Sequence, residues 1–151
     1  MASPSSASLD AGAAIGRTVL YAVNFGALTG GWLADMNKTH IYNPRWTPHA
    51  KFHDGITISA ASLAGGAGLY FLARRPFGQP ADTTIAALLP AIIFGSQAFA
   101  FLFPGAEGLE AEAPEMVPQL GKVRVNELPA ALAGVALAGL GYLLTRRKRK
   151  L

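Results

Sequence analysis

The chain has no cysteine, which excludes a disulfide framework, a thiolate metal site and a cysteine nucleophile together. Charge is scarce as well. Charged residues make up 15% of the chain against 51% hydrophobic, and the mean hydropathy is positive. A soluble domain of 151 residues needs more polar surface than this, so the composition points to a small integral membrane protein. Also missing is a basic face interleaved with aromatics. Five cations stand in the tail Arg146-Arg147-Lys148-Arg149-Lys150, and without them eight basic residues face nine acidic ones. A nucleic-acid reader spreads its cations over a folded surface, so nucleic acid is not expected as a partner. The tail reads instead as a cytoplasmic anchor beside a membrane helix. Residues 1–9 show no cationic region ahead of an apolar core, so they read as a flexible lead-in rather than a signal peptide.

What the chain does have is long apolar runs. Four spans are expected, at about 13–34, 55–74, 83–103 and 127–145, each near the ~20 residues that cross ~30 Å of hydrocarbon. The fold class is therefore all-α, a four-helix transmembrane bundle forming a single domain over 1–151, with 1–9 and 146–151 as tails. Asp10, Thr47 with Pro48, and Asp82 are expected at helix starts. Pro90 inside the third span frees a backbone carbonyl that a neighbour must satisfy. Gly26 with Gly30, the glycines of 65–68, and Ala130, Gly134 and Ala138 are candidate close-packing surfaces. Asn24 and Gln97 are polar groups at depth. Four spans put both termini on one side. Arg74-Arg75 and the tail mark that side as cytoplasmic under the positive-inside rule, in the endoplasmic reticulum membrane of a eukaryote or the plasma membrane of a bacterium.

All three histidines fall in one polar segment between the first two runs, Asp35 to Asp54. A helix starting at Thr47 places His49 and His53 one turn apart on one face. Asn43-Pro44 favours a turn that folds His40 back toward them, and Asp35 and Asn37 arrive from the first helix. Three chemical readings follow. Imidazoles tuned by Asp35 or Asp54 suit general acid/base work on a lipophilic substrate, with His49, His53 and His40 as catalytic candidates. The same three histidines, with or without a carboxylate, suit zinc or iron; Ala50 and Lys51 break the His-Glu-x-x-His pattern. Alternatively Asn37, Asn43, Arg45 and Trp46 bind a ligand or lipid head group. Against all three stands the preference of histidine, tryptophan and tyrosine for membrane interfaces. Asn37-Lys38-Thr39 also matches a glycosylation sequon, although so near the membrane a local turn is the expected use. The glutamates of 107–115 form a solvated loop or a lid.

The run Asn37-Lys-Thr-His40-Ile-Tyr-Asn43-Pro44-Arg-Trp46-Thr-Pro48-His49-Ala-Lys-Phe-His53 resembles a family of small four-span membrane proteins of unknown function from fungi and bacteria. Some members carry the label "acetyltransferase". The resemblance implies a multi-pass fold and transfers no catalytic role or cofactor. The label finds no support in the residues, because no acetyl-CoA phosphate cradle is present. The plan is also similar to DoxX-like four-helix proteins in architecture.

The expected function is thus an enzyme or binding protein for a lipophilic small molecule, acting on the non-cytoplasmic side. The alternative is a non-catalytic structural or assembly subunit, with a homo-oligomer among its forms. A transporter is less favoured, since no span centre carries an ionisable residue.

Overall fold

The computed structural model describes residues 4–74 and 79–146. Four helices dominate them: α1 (Pro4–Asp35), α2 (Pro48–Ala73), α3 (Pro80–Ala100) and α4 (Glu127–Thr145). The loop before α4 carries two short 3-10 turns and a minimal antiparallel ribbon, β1 (Gln119–Leu120) with β2 (Val123–Arg124). Residues 1–3, Arg75 and the cationic tail beyond Arg146 lie outside the described residues.

Proline opens three of the helices, at Pro4, Pro48 and Pro80, where its fixed φ suits the first helical position and its missing N–H has no partner to lose. Thr47 caps α2, its hydroxyl accepting from the Ala50 N–H at 3.1 Å, and Asn126 caps α4 by accepting from Leu128 N–H at 3.1 Å. Two expected caps differ. Because α1 begins at Pro4, Asp10 lies inside it and the expected lead-in is helical from Pro4 onward. In α3 the cap is Gln79, and Asp82 sits within the first turn. Its buried carboxylate goes to Arg74 instead, with Nε to Oδ2 at 2.8 Å and Nη2 to Oδ1 at 2.5 Å. The pair ties the end of α2 to the start of α3.

Among the described residues, α2, α3 and α4 are long and apolar enough to cross a membrane. The expected four spans therefore reduce to three on this criterion. Helix α1 falls short because Arg17, Thr18, Asn24 and Thr29 dilute its apolar run. It packs in the same bundle nonetheless, against α2 and α4, while α3 also contacts both α2 and α4. Gly16 in the first half of α1 meets the Gly141 carbonyl near the end of α4, and Gly31 near the end of α1 meets Ile58 in the first half of α2. The helices thus alternate in direction, and both outer ends of the chain leave from one end of the bundle. The 36–47 connector and the 101–126 loop share the other.

The packing is small inside and large outside. Ala27, Ala61, Ala86, Ala131 and Ala138 are buried, whereas Leu63, Phe99 and Leu143 are 75%, 63% and 64% exposed. Glycine and alanine let helix backbones approach closely when the outer medium is itself apolar. On α4 the buried stripe is Ala131, Gly134, Ala138 and Gly141, while Ala130 is exposed. The helix therefore turns a slightly different face inward than a strict spacing of four implies. Gly26 and Gly30 meet no atom where a side chain would begin; on the facing sides it is Gly16, Gly65 and Gly68 that admit a neighbouring helix.

One polar contact lies at the centre of this packing. Pro90 has no N–H, so within α3 the carbonyl of Ala86 loses its helical partner. Asn24 of α1, fully buried, supplies the replacement: its Nδ2 donates to Ala86 O at 2.8 Å and to Leu20 O at 2.8 Å. A side chain at Gly68 of α2 would collide with the Asn24 amide, so glycine there is what lets the asparagine reach across. The other expected deep polar residue, Gln97, is exposed on the outside of α3.

Two substitutions test this contact in detergent-solubilised protein. Asn24→Ala leaves the Ala86 carbonyl unpaired and is expected to cost about 1–3 kcal/mol in unfolding free energy. Gly68→Ala is expected to cost a similar ~1–3 kcal/mol by overpacking. Combining them should cost less than the sum, because the alanine methyl fills space the asparagine vacated; strict additivity would refute the contact.

Candidate functional site

The connector is a chain of local hydrogen bonds rather than a loose loop. At the end of α1, Asn37 donates from Nδ2 to the Ala34 carbonyl and accepts at Oδ1 from both Thr39 N–H (2.7 Å) and Thr39 Oγ1 (2.6 Å). The buried Asn43 closes the next turn, donating to Thr39 O at 3.1 Å and accepting from Arg45 N–H at 2.9 Å. That is the asparagine-proline turn the sequence implies, with Pro44 between donor and acceptor. Both amides are engaged within the connector itself, so these asparagines position the segment. The sequon Asn37-Lys38-Thr39 is folded into the same network.

These turns bring His40 back beside the end of α1. Its Nε2 lies 3.7 Å from Asp35 Oδ1, and its Nδ1 lies 2.8 Å from Thr39 Oγ1. Trp46 meets the imidazole edge-on with ring centroids 5.3 Å apart. The threonine hydroxyl has one proton. Given to Asn37, it leaves Thr39 Oγ1 to accept from Nδ1–H, and that tautomer turns the Nε2 lone pair toward Asp35. Asp35 and His40 are both about four-fifths buried, at 19% and 21% side-chain exposure.

Burial lifts the Asp35 carboxyl above its ordinary value; the His40 charge opposes this, while Asp54 and Glu127 push it further up. Asp54 of α2 has one carboxylate oxygen buried without a hydrogen-bond partner, as has Glu110 of the long loop. Glu127 accepts from the Leu109 N–H at 3.1 and 3.3 Å, and Asn126 donates to Glu110 Oε1 at 2.6 Å. A side chain on Gly108 would collide with both glutamates. This end of the bundle thus carries carboxylates from α1, α2, α4 and the loop, with His40 beside that of α1.

His49 and His53 form a different group. Each is exposed on the first turns of α2, and their Nε2 atoms face each other at 3.1 Å. His40 has other neighbours, and among the described residues no three His, Cys, Asp or Glu side chains gather to hold a metal ion. The five catalytic candidates accordingly divide into Asp35, His40 and Asp54 on one hand and the His49–His53 pair on the other.

Arg45 reaches outward to Glu112 at 3.7 Å, with side chains 73% and 52% exposed. Between connector and loop lies an open cleft of about 270 Å³ lined by Lys38, Thr39, Asn43, Arg45, Glu112 and Glu115. An ion pair this exposed contributes little to stability, roughly 0–1 kcal/mol, so the loop rests on the connector without being locked to it. Reading the segment alone missed Glu127, and it left Glu110 among the glutamates of a solvated loop or lid. The signal for Glu127 was its place directly after the capping Asn126, at an end that must lie near the first connector in an alternating bundle.

The raised Asp35 carboxyl has a stability consequence. It holds its proton more tightly in the fold than in the unfolded chain. Its contribution is complete below the unfolded value of about 3.9 and is lost as pH rises through the higher folded value. From pH 4 upward the wild type should therefore lose stability relative to Asp35→Asn, read as unfolding midpoints in detergent between pH 4 and 7. Parallel curves for the two proteins would rule the effect out.

No curated protein and no solved structure matches the chain. A family match does extend over residues 18–151, which takes in α1 from Thr18 onward, α2, α3, α4, the histidine connector and the acidic loop. The chain belongs to the family of unknown function DUF6640.

Proposed function

We propose that this chain is a multi-pass membrane protein that binds a lipophilic small molecule at the connector end of the bundle and moves a proton on it. The carrying observation is the largely buried Asp35–His40 pair, 3.7 Å apart, at the mouth of a bundle that is apolar on its outside. Imidazole is the side chain best suited to accepting and returning a proton in general acid/base work. In this reading His40 is the acid/base and Asp35 orients it and balances its charge. Asp54 and Glu127 keep the local field negative, and Trp46 offers an aromatic edge to an apolar substrate. Arg45 and Glu112 sit at the entrance.

The membrane reading extends to α1. A helix of 32 residues at 1.5 Å per residue is about 48 Å long, enough to cross alongside the three more apolar helices it packs against. Arg17, Arg74 and Arg146 lie at the end from which both termini leave, and the acidic loop lies at the other. The cationic end is assigned to the cytoplasm.

Two experiments test the proposal. Because the chain lacks cysteine, single cysteines at Lys38 and at Lys148 can be labelled with a membrane-impermeant maleimide. Lys38→Cys is expected to react only from outside and Lys148→Cys only from the cytosol, and the reverse pattern would overturn the orientation. For the site, protein purified in nanodiscs is extracted and its co-purifying lipophiles compared by mass spectrometry. A compound held by wild type and lost by Asp35→Asn and His40→Ala, both still folded, supports the proposal. Identical extracts from all three proteins defeat it.

The second reading, a non-catalytic assembly subunit, is favoured by one observation: Gly26 and Gly30 open onto space outside the bundle. If another helix packs there, Gly26→Leu should convert an oligomer to monomer in detergent; a wild type already monomeric would remove this reading.

A further inference from the structure

We infer that His49 and His53 form a two-imidazole binding site for a borderline divalent metal ion of the zinc, copper and nickel class, on the exposed first turns of α2. It uses side chains other than the Asp35–His40 pair and stands or falls separately from the function proposed above.

The argument begins with one distance. The two Nε2 atoms share a hydrogen bond at 3.1 Å. When the donor ring shifts that proton to its Nδ1, both Nε2 lone pairs are free, and two metal–nitrogen bonds of ~2.0–2.1 Å spanning that gap meet at an angle of roughly 98°. That lies between the square and the tetrahedral angle, so both geometries common for this class of ion are within reach without moving the helix. Imidazole nitrogens are borderline ligands that suit these ions and not magnesium or calcium.

Preorganisation is the second point. Pro48 and the Thr47 cap fix the start of α2, so residues 49 and 53 stand on a regular turn. Phe52 packs against both rings, parallel to His49 at 6.1 Å (14° between planes) and edge-on to His53 at 5.7 Å. The imidazoles themselves meet edge-on with centroids 4.5 Å apart. Ligands whose orientation is set before binding lose less freedom on capture.

The third point is what the pair lacks. No third protein ligand joins it among the described residues, so the remaining coordination positions fall to water or to an incoming ligand. Structural zinc sites close all four positions, whereas open ones exchange ligands and polarise them. The pair is therefore a surface site of the exchangeable kind, displayed at the same end of the bundle as the proposed proton-transfer pair.

The test uses the full chain without an affinity tag, reconstituted in nanodiscs of zwitterionic lipid and titrated separately with Zn²⁺ and Cu²⁺. One ion per chain is expected, and the bound Cu²⁺ should show electron paramagnetic resonance coupling to two imidazole nitrogens. Two linked ligands gain at least about 100-fold over one, so His49→Ala and His53→Ala should each weaken binding by that order. His40→Ala should leave it unchanged. Both substituted side chains are exposed, and unaltered helical circular dichroism verifies that the bundle is intact. Absence of saturable binding to wild type would overturn the inference, as would equal affinity in the His49→Ala/His53→Ala double variant.

Discussion

The arrangement of this bundle depends on a single side-chain amide. Pro90 removes the partner of the Ala86 carbonyl, Asn24 restores it from a different helix, and Gly68 of a third helix leaves room for the asparagine. In an apolar medium an unpaired backbone carbonyl has no water to turn to. The register of α1 against α2 and α3 is therefore set by where one amide can reach one carbonyl. Greasy contact alone would let helices slide, because lipid is as apolar as leucine. The alanine and glycine surfaces then close around that fixed point.

Once α1 is pinned, the ends of the bundle acquire opposite characters. At one end the Arg74–Asp82 pair and Arg17, donating to the Leu72 carbonyl at 2.9 Å, fasten helix termini together. At the other end the termination of α1 at Asp35 delivers a carboxylate to His40. The start of α4 contributes Glu127, and α2 contributes Asp54 one residue beyond His53. Histidines and carboxylates are concentrated here because four helix ends and two connectors meet, whereas the sides of the bundle present mainly leucine, phenylalanine and isoleucine.

Much of the local structure was legible in the residues. Thr47-Pro48 as cap and first turn, Asn43-Pro44 as a turn, and the carbonyl freed by Pro90 all follow from short-range stereochemistry, which tertiary context leaves alone. Other readings failed for an identifiable reason. Asp82 has the chemistry of a cap, but Pro80 begins the helix earlier and Arg74 claims the carboxylate. Gly26, Gly30 and Ala130 have the right spacing for close packing, yet each helix turns a neighbouring stripe inward. Spacing defines a face without saying which way the face points.

By itself the sequence determined that this is a helical chain with long apolar runs and a proline-bracketed, histidine-bearing connector. Hydrophobic run length, caps and turns are properties of a few consecutive residues. That His49 and His53 share one face of α2 followed from the helix start at Thr47; only the tertiary structure decided that His40 belongs with Asp35 and stands apart from that pair. The same is true of the convergence of Glu110 and Glu127 on that end, and of Asn24 answering for Pro90. Those outcomes turn on the rotation of each helix about its axis and the folding back of a connector, which arise only when all four helices pack at once.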